Sequence, residues 1–316
     1  MFTVILQTSE AYAPATVANL GAGFDILGLA IREPGDIVRA EYSDAPGATI
    51  ASIEGDGGKL PRDPHKNTAC IAANAVLQSA GALHGVQLTL VKGLPLASGL
   101  GSSAASAVAA ALAVNALLGE PFSRGELLPA SLEGEAAVSG YHADNVAPCL
   151  FGGITLCIGL TADKILAMPV PENLHLALVT PDVAVPTAEA RAVLPQQIPL
   201  KTMVKQTAAV ARLVDALHRG DIEALAAAME TDEVVEPARA HLMPRLADVR
   251  AAARRAGALG LVISGAGPTL CAVCDDAVVA EQVAVAMRTV YDEINLRSVA
   301  RHTQVAAEGA QVLSVV

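Results

Sequence analysis

Apolar positions change their spacing several times along the chain, and each change marks an element. Val86–Lys92 alternates apolar and polar side chains, which predicts a half-buried strand. Short apolar runs at 36–43, Ala48–Glu54, Gly152–Ile158, Leu174–Val179, Leu259–Ser264 and Thr269–Cys274 predict further strands. The first eight residues, Ser298–Val305 and Val312–Val315 read the same way. Asn67–Gly81 predicts a helix stopped by its glycine. Ala104–Leu118 predicts a helix that is apolar all round and therefore buried, ended by Gly119 and Pro121. More helices are predicted at Arg124–Gly134, Met203–His218, Asp221–Glu230, Arg239–Ala256 and Val278–Tyr291, with a polar segment between Gly134 and Asn145. A linker-like stretch, Gly159–Pro171, divides the chain into expected domains at 1–160 and 161–316. Both halves mix strands and helices without strict alternation, so the expected class is α+β.

Composition narrows the picture. Of 316 residues, 53% are hydrophobic and 17% charged, which excludes a disordered chain. The apolar excess is mostly Ala and Val, aromatics are 3% and Trp is absent, so the core must be built from small aliphatic side chains. No 18-residue window is apolar and charge-free enough to span a bilayer, and no membrane association is expected. The net charge of −11 offers no basic face for nucleic acid, and none is expected as a partner. The same charge means that an anionic ligand must be held by local donors or a metal, against the global field. Five cysteines and an N-terminal Met1–Gln7 without a basic region predict a reduced, cytoplasmic compartment. Cys271-Ala-Val-Cys274 matches C-x-x-C, but on a strand its thiols face opposite sides, and no second pair completes a zinc site. Buried thiols are expected.

The segment richest in chemistry is Pro95-Leu-Ala-Ser98-Gly99-Leu100-Gly101-Ser102-Ser103-Ala104-Ala105, between a strand and the buried helix. Gly99 and Gly101 permit positive φ and close approach to a ligand. The residues after them present free N–H groups at a helix N-terminus, where the dipole favours an anion. A Ser102 or Ser103 hydroxyl is of the type that ligates Mg²⁺ in phosphate loops. A Walker A loop is excluded, because no Lys follows Gly101. A dinucleotide fingerprint fits the letters G-x-G-x-x-A but lacks a second strand ending in an acid; Glu120 follows the helix directly. A plain Gly-rich turn into a core helix is the third reading.

This loop resembles the phosphate-binding motif of the GHMP small-molecule kinases. Three more segments fit in the same order: Ala13-Pro-Ala-Thr-Val-Ala-Asn19-Leu-Gly-Ala-Gly23-Phe-Asp25-Ile-Leu-Gly28, Ser139-Gly-Tyr-His142-Ala-Asp144-Asn145-Val-Ala-Pro148, and Ser264-Gly265-Ala-Gly267-Pro268-Thr269. The first and second of these resemble the homoserine kinases most among the superfamily. The resemblance implies a ribosomal-protein-S5-domain-2-like N-terminal half, a ferredoxin-like C-terminal half, and a cleft between them. It implies phosphorylation of the L-homoserine hydroxyl by ATP, with Mg²⁺, to give O-phospho-L-homoserine for threonine biosynthesis. It also implies a homodimer.

Residue by residue, the resemblance puts ATP on the loop at 95–105 and its adenine near Asn67. It puts Mg²⁺ on Ser103 and on an acid ahead of the His-containing segment, best matched by Glu135 with Glu133 as the substitute. Substrate contacts fall to Asn19, Asp25, His142, Thr187, Arg191, Arg239 and Gly265. A guanidinium fork suits the carboxylate of an amino acid in a way that Lys cannot copy. Catalytic roles fall to Asp25, Asp144 and Asn145, with Asp144 the base that other GHMP kinases use in this region. Homoserine kinases lack a dedicated base, and a loose phosphoryl-transfer transition state makes positioning and charge stabilisation the larger part of catalysis. The competing readings are another GHMP kinase, such as a mevalonate kinase, and a non-catalytic nucleotide sensor on the same fold.

Overall fold

The computed structural model describes residues 7–316. The expected first strand lies outside these residues up to position 6; β1 (Thr8–Ala18) is instead the segment that leads into the Asn19–Ile26 turn. β2 (Leu27–Ser43) begins nine residues ahead of its predicted start, because the Glu33-Pro34-Gly35 break is absorbed within the strand. The ladder between β1 and β2 shifts register between Pro14 and Thr16 opposite that break. β3 (Ala48–Glu54) falls where its apolar run places it, and β4 (Gly85–Val91) lies one residue ahead of the alternating segment.

α1 (Thr68–Ser79) starts at Asn67, whose side chain accepts from the Ala69 and Cys70 amides. α2 (Ser102–Leu117) is buried on nearly every face. Its run of alanines lets it press against α1, β1 and β2. α3 (Leu128–Ala136) follows a single 3₁₀ turn, Arg124–Leu127, so the helix predicted there is two pieces joined ahead of Pro129. α4 (Ala143–Phe151) takes up the end of the expected polar segment; it is short and contains Pro148, which hides the helical period. β5 (Ile154–Cys157) pairs with the start of β2, and β6 (Ile165–Met168) with β5, so the expected linker contains a strand.

The first sheet runs β11-β1-β2-β4-β3, with β5 and β6 branching from β2; β11 (Gln311–Val315) returns from the far end of the chain. Two strands beyond residue 160, β6 and β11, therefore belong to the first sheet. The second sheet contains β7 (His175–Pro181), β8 (Gly260–Ile263), β9 (Leu270–Cys274) and β10 (Ser298–Gln304) in the order β10-β7-β9-β8, all antiparallel. Numbered from β7, that order is 4-1-3-2, the arrangement of a split βαβ ferredoxin-like sheet.

Between β7 and β8 lie α5 (Thr187–Ala192), α6 (Leu200–Arg219), α7 (Ile222–Met229), α8 (Val235–Arg239) and α9 (Leu246–Arg255). The helix predicted over Arg239–Ala256 is broken at Met243-Pro244-Arg245, since proline cannot donate to the preceding turn. α8 ends at Arg239, and a 3₁₀ turn, Ala240–Leu242, carries the chain from there to the break. α10 (Ala277–Asp292), capped by Asp276, packs with α9 on one face of the second sheet. That face forms its own apolar cluster, while Leu176, Leu178 and Val273 on the opposite face join the core of the first half. Cys271 lies in the first cluster and Cys274 in the second, so the C-x-x-C thiols do point to opposite sides of β9. All five cysteines are buried and unpaired, and burial pushes the Cys274 thiol up to about 12. Among the described residues no helix is long and apolar enough to cross a membrane.

Candidate active site

A cleft of about 380 Å³ opens where the two sheets meet. It is lined by Ser98, Gly99, Gly101, Ser102 and Ser103 of the loop, by Asn19 and Asp25, by Glu135, Asp144 and Asn145, and by Thr187, Arg191, Arg239 and Gly265. Asn67 also lines it, although its amide is already engaged: Oδ1 caps α1 and Nδ2 donates to the Pro61 carbonyl at 2.8 Å. Five residues expected on a ligand are not part of this lining: His142, which stands behind Asp25, and four residues of the loop. Leu100, Ala104 and Ala105 are core residues beneath the loop, and Pro95 lies outside, its carbonyl accepting from Ser98 Oγ at 2.8 Å. The side chains of these four shape the loop, while the backbone amide of Leu100 stays free of any acceptor among the described residues.

The loop is bonded in a way its sequence conceals. Four successive carbonyls are taken by donors from three other segments. Ala97 accepts from the Val185 amide at 3.2 Å, Ser98 from the Thr269 amide at 3.1 Å, Gly99 from Ser264 Oγ at 2.6 Å and Leu100 from the Thr16 amide at 3.1 Å. In a trans peptide the next N–H points opposite to the carbonyl. The amides of Ser98, Gly99, Leu100 and Gly101 are thus turned away from those donors, and none finds an acceptor among the described residues. Gly101 is the N-cap of α2 at φ 67° and supplies no side-chain cap, so the first-turn amides of the helix are free as well. Ser102 Oγ is buried there without a partner. The result is a row of donors with a helix dipole behind it, which is an anion cradle.

Across the cleft, α3 supplies Glu135, which is 3% exposed and lacks a partner for Oε2. Burial raises its pKa, opposed by hydrogen bonds from Ser103 and Ser139. Glu133, two positions earlier on the helix, is exposed, accepts from Tyr141 and faces a separate surface groove. Glu135 and not Glu133 thus stands opposite the loop serines. Among the described residues no group of three or more His, Cys, Asp or Glu is arranged to hold a metal. One orphaned carboxylate beside two serines still fits Mg²⁺, which takes one or two protein oxygens and completes its shell with phosphate and water.

The other end of the cleft is a charged cluster. The Arg191 guanidinium forks onto Asp25, at 2.7 Å to Oδ1 and 3.1 Å to Oδ2. His142 Nδ1 stands 3.5 Å from the same carboxylate, and burial lowers the pKa of its ring. Arg239 is 2% exposed and donates through Nε to Ala190 O at 3.0 Å and through Nη1 to Gly265 O at 2.9 Å. Both guanidinium carbons sit over the Phe24 ring, at 5.5 and 5.2 Å. A π face can carry two cations close together, and Phe24 gives no signal of this in the sequence, because an aromatic beside a Gly-rich turn reads as core. Asn19, at φ 74°, locks the turn by donating to Gly265 O and accepting from the Asp25 amide. Two guanidiniums against one carboxylate leave a positive charge to be met by a ligand.

Asp144 and Asn145 occupy the first turn of α4, facing the loop. Asn145 Oδ1 accepts from Thr16 Oγ1 at 2.7 Å. Asp144 has an unpaired Oδ1, and burial, with Asp25 and Glu135 adding to it, pushes its pKa up to about 7. A carboxyl whose pKa is raised by folding is favoured in its neutral form. The protein without ligands therefore loses stability as the pH climbs from about 4 to about 7 and the unfolded chain ionises first. The melting temperature of Asp144→Asn relative to the native protein should accordingly rise over that range and level off above it. A difference that does not vary with pH would show that Asp144 is ionised in the fold.

The family model for the GHMP kinases N terminal domain matches residues 67–153, and that for the GHMP kinases C terminal matches 213–293. A curated homoserine kinase of Chloroherpeton thalassium is 42% identical over 96% of this chain and 98% of its own. The crystal structure of homoserine kinase from Cytophaga hutchinsonii is 42% identical and superposes with a TM-score of 0.94 over 99% of both chains. L. major mevalonate kinase in complex with R-mevalonate shares the fold, with a TM-score of 0.75 at 18% identity over 98% of this chain and 100% of its own. Loop, cleft and both matched halves define a GHMP kinase, a phosphotransferase for which the family implies ATP as donor. Within that class, the chain belongs to the homoserine kinase family.

Proposed function

We propose that this protein transfers the γ-phosphoryl group of ATP to the side-chain hydroxyl of L-homoserine, giving O-phospho-L-homoserine and ADP within threonine biosynthesis. The observation that carries the reading is the joint presence, in one cleft, of the free amides at 98–101 and the Arg191–Arg239 pair. The amides take the triphosphate; the arginines and Asp25 take a zwitterion, one net positive charge for the carboxylate and one carboxylate for the ammonium. Mevalonate has a carboxylate but no ammonium, and Asp25 would have no role toward it.

Ser103 and Glu135, with the Ser102 hydroxyl alongside, are the residues that would hold Mg²⁺. When bound, the ion neutralises charge on the phosphates. The chain does the rest by placement. Backbone donors of the loop fix the phosphates, Arg239 and Arg191 fix the carboxylate, and Asn145 and Asp144 face the space between them. Asp144, with its pKa raised to about 7, is close to half ionised near neutral pH and is a stronger proton acceptor than an exposed carboxylate, in a reaction whose larger part is positioning and charge stabilisation.

An ADP-release assay with homoserine and mevalonate side by side tests the reading. Turnover of homoserine is expected, with mevalonate at background. Turnover of mevalonate alone, or ATP binding with no phosphorylated product from either, overturns it.

A further inference from the structure

At the floor of the cleft, beneath the phosphate loop, Lys92 and Ser106 join Asp36 in a buried cluster to which the proposed reaction assigns no role. Lys92 follows β4 and Asp36 lies in β2; both side chains are 1% exposed. Lys92 Nζ contacts Asp36 Oδ2, and also donates to Ser106 Oγ at 2.7 Å and to the Ser102 carbonyl at 2.9 Å. Asp36 Oδ2 accepts from Ser106 Oγ at 2.9 Å, while its Oδ1 accepts from the Gly93 and Leu94 amides at 3.1 and 3.2 Å. The carboxylate therefore grips the first residues of the loop, and the ammonium grips the residue where the loop becomes α2.

Resting on the proposal that this loop holds ATP, we propose that Lys92 and Asp36 are positioning residues that clamp the two ends of the loop and set its amides in register for the triphosphate. Stability alone does not account for the pair. Removing two charges from water carries a heavy solvation penalty, and apolar replacements of such pairs are often neutral or stabilising. Burial pulls the Lys92 pKa down, with Asp36 opposing, so the pair is held in place against a solvation penalty. An apolar pair could fill the volume. It could not make five hydrogen bonds to four polar groups at once: the two amides at 93–94, the Ser106 hydroxyl from both sides, and the Ser102 carbonyl. The Ser102 carbonyl matters most. It belongs to the same residue as the orphaned Oγ, and holding it down aims the rest of that turn at the cleft. The pair is also nearly neutral as a unit, so it orients donors without serving as a competing anion or a free cation.

The test is the double variant Lys92→Met/Asp36→Asn, which removes both charges and keeps an acceptor for the 93–94 amides. ATP affinity, measured by calorimetry, is expected to fall at least fivefold, with the homoserine KM at saturating ATP changed less than twofold. Backbone hydrogen exchange over 93–103 should quicken while that of α10 stays constant. A folded double variant whose ATP affinity falls less than fivefold overturns the clamp. Ser106→Ala, which deletes only the bridging hydroxyl, covers the case where the double variant does not fold: exchange over 93–103 must rise at least threefold, and a smaller rise overturns the proposal. Native protein titrated in parallel separates the two ideas, because failure of the native protein to bind ATP removes the nucleotide reading itself and the clamp with it.

Discussion

Gly101→Val is expected to lower ATP affinity by at least about 100-fold, equivalent to about 2.7 kcal/mol. Two effects combine. Gly101 holds φ 67°, a region that costs an ordinary L-residue about 1–2 kcal/mol and a β-branched one more. A Cβ built there would also overlap Thr16 Oγ1 and approach Asn145 Oδ1 to 2.9 Å, the very pair that joins β1 to α4. Relief requires the loop to move off β1, which breaks the Thr16–Leu100 backbone bond and frees one of the four carbonyls whose capture turns the amides to the cleft. Gly119→Val is the control. Gly119 also has positive φ, 82°, but a Cβ there meets nothing within 4 Å. Both variants should lose stability, and only Gly101→Val should lose ATP in a calorimetric titration. Native ATP affinity in a folded Gly101→Val protein would falsify the loop as phosphate site.

The parts of this site that could be read along the chain are those whose chemistry is local. Gly99 and Gly101 announce a turn with free amides, and an all-apolar helix after them announces a buried helix N-terminus; both are present. The choice between Glu133 and Glu135 follows once α3 exists, because neighbours two apart on a helix face different ways. What could not be read is whatever depends on meeting a distant segment. Lys92 ends an alternating strand, where a lysine reads as a solvated face, and its partner Asp36 is 56 residues away. The carbonyl bonding of 97–100 needs donors from residues 16, 185, 264 and 269. Asp25, expected on the substrate, is first of all the partner of Arg191, 166 positions on. Elements were missed for the same reason: α4 carries a proline, and β6 is too short and too exposed to show a period, yet each is held by β5 and its neighbours. Tertiary pairing overrides weak local preference in both cases.

Arg239→Leu should raise the KM for homoserine at least about 100-fold and leave the KM for ATP within about threefold. A desolvated guanidinium that loses a carboxylate partner costs about 2–5 kcal/mol, and this one is almost wholly out of water, with burial bringing its pKa down to about 10. Two of its nitrogens already hold Ala190 O and Gly265 O, so the fork arrives at the substrate with its orientation fixed. Those bonds also mean that a leucine side chain in its place would strand two carbonyls, and some loss of stability is expected alongside. A substrate analogue separates the two consequences. 3-Aminopropan-1-ol is homoserine without its carboxylate; the native enzyme should use it about as poorly as Arg239→Leu uses homoserine. In the variant the two compounds should then be nearly equal, because the group that told them apart is gone, whereas general damage to the cleft would penalise both and preserve their ratio. Arg239→Lys should resemble the leucine variant more than the native enzyme, since a single ammonium cannot hold Gly265 O, Ala190 O and a carboxylate in one plane. A native homoserine KM in either variant would place the substrate carboxylate elsewhere and leave Arg191, released from Asp25, as the group to examine.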